Sequence, residues 1–225
     1  MNGRTSLNET AYRHVRGEII ACRMPPGKRL TEKRLAADTG FGISPVRDAL
    51  TRLDQEGLVC NLPRKGYQVT PLTLKTVDDL FVMWLIVGPE MVRLGVSRAS
   101  QKDIARARAG FDGLAATAGG LEIIDCAEQA FRTLAHAADN EYLTSLFDRI
   151  SGDMARVWAL LLSADPAAST IVAAQSGIGR ILDERDADQA ADNARAYITE
   201  SHERVLRTIM RWPSVMSTEL VTQPY

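Results

Sequence analysis

Along residues 7–24 the apolar side chains Ala11, Val15, Ile19, Ile20 and Cys22 recur on one helical face, and Pro25-Pro26-Gly27 ends the pattern abruptly. Leu30 follows as a short strand contact. Thr31 is placed to cap a second helix running to about Thr39, with Leu35 and Ala36 facing inward and Lys33 and Arg34 outward. A turn, Gly40-Phe41-Gly42-Ile43, leads into residues 44–58. There Ser44 can cap the first free amides, Pro45 suits the first turn, and Gly57 can close the far end in a left-handed conformation. Within this third helix Val46, Ala49, Leu50 and Leu53 share the inward face, while Arg47, Thr51 and Arg52 point elsewhere. The order helix, short turn, helix is that of a helix-turn-helix. Residues 58–62 and 67–70 then read as strands separated by Pro63-Arg64-Lys65-Gly66, a hairpin with a basic tip. Three helices and such a hairpin make a winged helix able to grip a duplex.

From Val77 onward the pattern is almost wholly helical, with helices expected at about 77–97, 101–117, 122–138, 140–163, 168–184 and 187–211. Residues 71–76 form the expected hinge, and Gly88-Pro89 is expected to bend or split the first helix after it. Six helices can enclose a pocket. The expected fold class is therefore mainly α. Residues 1–72 form a winged helix-turn-helix with a β-hairpin wing, 77–212 an all-helical bundle, and 213–225 a loose tail.

Charge sharpens this division. Residues 1–75 carry 13 Lys and Arg against 7 Asp and Glu, whereas residues 76–225 carry 14 against 21. A basic front is the footprint of a phosphate-backbone binder, and an acidic back implies a different partner. The hydrophobic share of 45% is ordinary for a globular chain, and the three cysteines, Cys22, Cys60 and Cys126, are too scattered for a disulfide framework or thiolate metal site. No signal-peptide pattern and no span of about 18 apolar residues is evident, so a cytoplasmic protein with no membrane partner is expected.

The runs Pro26-Gly27-Lys28-Arg29-Leu30-Thr31-Glu32-Lys33-Arg34-Leu35-Ala36, Ser44-Pro45-Val46-Arg47-Asp48-Ala49-Leu50, Glu56-Gly57-Leu58-Val59 and Arg64-Lys65-Gly66-Tyr67-Gln68-Val69 closely resemble the N-terminal domain of GntR-family bacterial repressors. The resemblance implies DNA contacts from Lys33, Ser44, Arg47, Lys65 and Gly66. Arg34, Pro45, Thr51, Arg52 and Arg64 join the expected interface from their places on the two helices and the wing. One departure is Gly42-Ile43, which stands where the family usually has Ser-Arg.

Residues 128–140, read as Glu128-Gln129-Ala130-Phe131-Arg132-Thr133-Leu134-Ala135-His136-Ala137-Ala138-Asp139-Asn140, resemble the FCD-type effector domain of the FadR branch of that family. Arg185-Asp186-Ala187-Asp188-Gln189-Ala190-Ala191 matches a second, weaker signature. Many members of the branch bind a metal through one Asp and three His. The residues that align here are Glu128, Arg132, Gln175 and Tyr197, of which one is a good ligand, so no metal and no other cofactor is expected. His14, His136 and His202 lie far apart; His202 could approach the pocket from the last helix, but it is expected to be exposed or satisfied by a neighbour. Arg132 has two readings: its guanidinium can hold an anionic effector by a two-pronged bond, or it can pair with Glu128 one turn back. Trp84, where the family often carries an arginine, favours an effector with a flat or apolar part. Phe147, Met154 and Trp158 are expected to be core packing.

The resemblance and the charge pattern together imply a ligand-responsive DNA-binding regulator: a repressor released by a small organic anion, binding a short inverted repeat as a homodimer or higher homo-oligomer. Its effector residues are Trp84, Glu128, Arg132, Gln175 and Tyr197. The alternatives are a helical enzyme acting on a small acid, or a metal-dependent regulator of the same family. No nucleophile-base pair, phosphate loop or intact metal set favours the enzyme.

Overall fold

A computed structural model describes residues 7–116, 121–165 and 178–211. Two compact units meet in sequence between Leu72 and Thr73.

The first unit contains α1 (Leu7–Ile20), β1 (Arg29–Leu30), α2 (Glu32–Thr39), α3 (Ile43–Gln55), β2 (Val59–Leu62) and β3 (Gly66–Val69). Its core is where α1 and α3 pack, through Ala11, Val15 and Ile19 against the buried stripe Val46, Ala49, Leu50 and Leu53. α1 ends at Ile20, short of the expected Met24. Cys22 turns left-handed at φ 55, and the Met24 amide reaches back to the Glu18 carbonyl at 3.0 Å. Pro25, with no N–H and a bias against helix in the residue before it, keeps the helix from resuming.

α2 is capped as its sequence predicts: the Thr31 side chain accepts from the Arg34 amide. α3 is not. Its N-cap is Gly42, without a side-chain cap bond, so Ser44 lies inside the first turn. Gly57 does close the other end at φ 74, with the Leu58 amide bonded to the Leu53 carbonyl at 2.9 Å. The sheet order is β1-β3-β2, antiparallel throughout, with Leu30 opposite Tyr67 and Leu62 opposite Gly66. At the hairpin tip Arg64 takes φ 64 and the Lys65 amide donates to the Leu62 carbonyl at 2.8 Å.

The second unit, as described, holds α4 (Leu74–Arg98), α5 (Gln101–Ala116), α6 (Leu121–Ala137), α7 (Glu141–Ala164), α8 (Ile178–Glu184) and α9 (Ala187–Arg211). The expected hinge is shorter than 71–76, because Thr73 and Thr76 form a reciprocal capping box that starts α4 at Leu74. Gly88-Pro89 does not split α4, which runs on as one helix with Pro89 buried inside it. Contrary to the expectation that no such span exists, α4 is long and apolar enough to cross a bilayer by length and composition. Ten of its residues are buried within the unit, which is the behaviour of a core helix. Of the helix expected at 168–184, residues 178–184 are seen as α8, and 168–177 lie outside the described residues.

Small residues set how closely these helices approach. A Cβ on Gly88 would stand 2.9 Å from Ile198 Cδ1 of α9, and one on Gly95 would run into the Leu134 carbonyl of α6. Likewise a Cβ on Gly110 of α5 would stand 2.9 Å from that of Ala130 on α6. α4 is thus held against α9 at Gly88 and against α6 at Gly95.

Candidate functional site

In the first unit the side of α3 opposite its buried stripe exposes Ser44, Arg47 and Thr51. Lys33 and Arg34 are exposed on α2, and Arg64 and Lys65 on the hairpin tip. Among the described residues Lys33, Arg64 and Lys65 form no ion pair, and Arg34 has only a loose one with Asp38 at 3.7 Å. Arg47 is different. Its Nη2 donates to Glu32 Oε2 at 2.7 Å, and its Nε lies 2.9 and 3.0 Å from the two carboxylate oxygens. That two-pronged bond first, and the nearby positive charge second, hold the Glu32 carboxyl below its usual range. The Asn61 amide of β2 donates to Asp54 of α3 at 3.0 Å, which puts the wing beside α3.

Two expected interface residues are elsewhere. Pro45 is buried, its ring being part of the α3 packing face rather than of the exposed one. Arg52 does not point outward: it donates to Glu9 at 2.9 Å, and its guanidinium lies 3.6 Å from the centre of the Tyr12 ring. Both partners are on α1, which packs against α3, so the position that looked free on a helical wheel is covered by a neighbouring helix. Gly66 contributes backbone. At φ 83, with a Cβ position 2.5 Å from the Leu30 carbonyl oxygen, it accepts no larger residue without a shift.

In the second unit α4, α6, α7 and α9 surround a cavity of about 640 Å³, measured out to its mouth. Trp84 forms one wall, edge-on to Phe131 at 6.0 Å and tilted against Phe147 at 6.0 Å. Trp158 and Tyr197 stack opposite one another at 6.2 Å with 15° between their planes. Phe147, Met154 and Trp158, expected to be ordinary core, line this cavity. Their spacing along α7, together with Ser151, is 147, 151, 154, 158, one helical stripe, which alone cannot tell a packed face from a cavity wall.

The polar groups among the described lining residues are Glu128, Ser151 and Tyr197. Arg132 does not line the cavity. Its Nη2 donates to Glu128 at 2.6 Å and to the Ser151 hydroxyl at 3.2 Å, and its Nη1 to Asp148. Of its two readings, pairing with Glu128 is therefore the one seen, and Asp148, from the next helix, adds a second carboxylate. The guanidinium is committed to Glu128, Ser151 and Asp148 rather than left open. Gln175 lies outside the described residues. His202 is satisfied, its Nε2 being 2.8 Å from Asp78 and its ring stacked on Phe81 at 5.1 Å. Among the described residues no group of three His, Cys, Asp or Glu comes together to hold a metal.

Two family models match the chain. Bacterial regulatory proteins of the gntR family match residues 7–69, and the FCD domain matches residues 79–200. Relatives include the Nta operon transcriptional regulator of Aminobacter aminovorans, 35% identical over 86 residues, or 38% of this chain and 41% of that protein. The HTH-type transcriptional repressor RspR of Escherichia coli is 30% identical over 79 residues, 35% of each chain. The match spans less than half the length of either curated relative. Among solved structures, E. coli McbR/YncC superposes with a TM-score of 0.72 over 91% of this chain and 99% of its own at 18% identity. A GntR-type regulator structure from Rhodococcus sp. RHA1 gives 0.68 over 89% and 97% at 17% identity. At these identities the superpositions speak for the fold. With one model covering the winged unit and the other most of the helical unit, the chain belongs to the gntR family of bacterial regulatory proteins and carries an FCD domain.

Proposed function

We propose that this chain is a cytoplasmic, ligand-responsive repressor that binds double-stranded DNA as a two-fold dimer on a short inverted repeat. The observation that carries this reading is the pairing of an exposed α3 face, Ser44, Arg47 and Thr51, with a neighbouring wing whose tip bears Arg64 and Lys65. A helix of α3's length reaches only a few base pairs, and two-fold symmetry doubles the site. Ser44, Arg47 and Thr51 approach base edges and adjoining phosphates, and Lys33, Arg34, Arg64, Lys65 and the Gly66 backbone follow the phosphate chain. Pro45 and Arg52 leave the contact set for the structural reasons given above.

The DNA-reading module comprises residues 1–72 and the effector module residues 77–212. The effector occupies the aromatic cavity, with Trp84, Glu128 and Tyr197 in its walls. An anion anchored by Arg132, the ligand class implied by the residues alone, would have to displace Asp148 or Glu128 from the guanidinium. Release of DNA requires that the effector favour one arrangement of the dimer over another, since equal binding to both shifts nothing. The test is selection of bound duplexes from a random library, followed by anisotropy titration of the recovered site. Undiminished affinity for that site in a variant carrying both Arg47→Ala and Lys65→Ala would refute the assignment.

A further inference from the structure

We infer that the cavity of the helical unit takes an organic cation, an amine with an aromatic or aliphatic body, rather than an acid. This rests on the reading of that cavity as the effector site and names the chemistry of its ligand. Five aromatic residues, Trp84, Phe131, Phe147, Trp158 and Tyr197, line the cavity, and aromatic rings attract a positive charge brought out of water. Phe147 already receives one cation: the Arg132 guanidinium carbon lies 5.4 Å from its ring centre.

Charge points the same way. One guanidinium, Arg132, is shared between two carboxylates, Glu128 and Asp148, so the cluster has a formal charge of −1. Of its members Glu128 is the one in the cavity wall. Among the described lining residues there is no Lys, Arg or His. The segment 166–177, which joins α7 to α8, contains none in its sequence either. At the Phe81 end of the cavity the His202 ring stacks on Phe81 and is held by the Asp78 carboxylate at 2.8 Å. An incoming carboxylate would meet Glu128 with no uncommitted cation among the described lining residues to offset the repulsion, whereas an ammonium would donate to Glu128 and rest against the rings.

Calorimetric titration of the whole protein with three matched probes tests this: 2-phenylethylamine in its ammonium form, 2-phenylethanol and phenylacetate. The ammonium is expected to bind about tenfold or more tighter than the alcohol, and phenylacetate more weakly than either. Glu128→Gln should bring the amine's affinity down to that of the alcohol. Asp148→Asn, which removes charge from behind the wall without altering the wall itself, should weaken the amine by a smaller factor. Equal binding of the three probes, preference for phenylacetate, no binding of the amine at millimolar concentration, or amine binding insensitive to both substitutions each overturns the inference. Operator affinity is measured separately with and without the amine. Amine binding that leaves operator affinity unchanged would refute the regulatory reading of the cavity and leave the ligand class standing.

Discussion

The Arg47 guanidinium on the exposed face of α3 is clasped by both carboxylate oxygens of Glu32 on α2, at 2.7 to 3.0 Å. The pair ties the two helices of the motif together and aims the arginine. It also means that DNA must compete with a carboxylate for this side chain.

Arg47→Ala is expected to weaken binding to the selected duplex by about 1–3 kcal/mol, and Glu32→Gln to reduce discrimination against scrambled DNA while tightening non-specific binding. The sign with pH follows from the depressed Glu32 carboxyl. Its contribution to stability is present above the ordinary carboxylate range and is lost as pH falls through the lower folded value. With Arg47 63% exposed, that contribution is small. Anisotropy on matched and scrambled duplexes, in wild type and both variants, checks the first two outcomes.

Arg52 and Tyr12 form a second pair, between α3 and α1, and their role is stability. Tyr12 donates to Glu56 at 2.5 Å, and burial, followed by this bond, pushes its phenol up from 10.0 to about 12. The folded value is the higher one, so the stabilisation is complete below pH 10 and disappears as pH rises from there to about 12. Tyr12→Phe should cost about 1 kcal/mol at neutral pH and flatten the alkaline loss. Arg52→Ala should lower the melting temperature of the winged unit with operator affinity kept at the wild-type level. A fall in affinity without a fall in stability would return Arg52 to the DNA interface.

Gly66→Ala, beside the tip of the wing, meets both a left-handed backbone and the Leu30 carbonyl. A loss of about 1–3 kcal/mol is expected. Because β3 lies between β1 and β2, hydrogen exchange should accelerate at Leu30 and in both hairpin strands.

Two further glycines should respond with opposite sign. Gly17 in α1 has open space where a Cβ would go, so Gly17→Ala should stabilise by about 0.5–1 kcal/mol through helix propensity. Gly95 is where α4 meets the Leu134 carbonyl of α6, so Gly95→Ala should destabilise by about 1–3 kcal/mol through overpacking. Denaturant midpoints of the two variants against wild type decide both.

What could be read from the residues follows the range of the signal. The helix at 32–39 and its Thr31 cap, the Gly57 stop and the basic hairpin tip depend on contacts a few residues apart, and all appear in the structure. The cap of α3 was misread because Gly42, with no side chain to signal a cap, takes that place one residue before Ile43. Arg52 was misread for a different reason. Its helical-wheel position is outward with respect to the core stripe, but Glu9 and Tyr12, about 40 residues away, reach over to it.

By itself the sequence determined which faces turn inward, where most helices stop, the basic and acidic halves, and the motifs of the family, because period, caps and charge are properties of neighbours along the chain. Only the tertiary structure decided that Phe147, Met154 and Trp158 face a cavity, and that Arg132 is committed to Glu128 and Asp148. An apolar stripe specifies that a side chain leaves water. Whether it then meets another side chain or a void depends on how far apart the helices stand, and that distance is set where Gly88, Gly95 and Gly110 let one helix touch another.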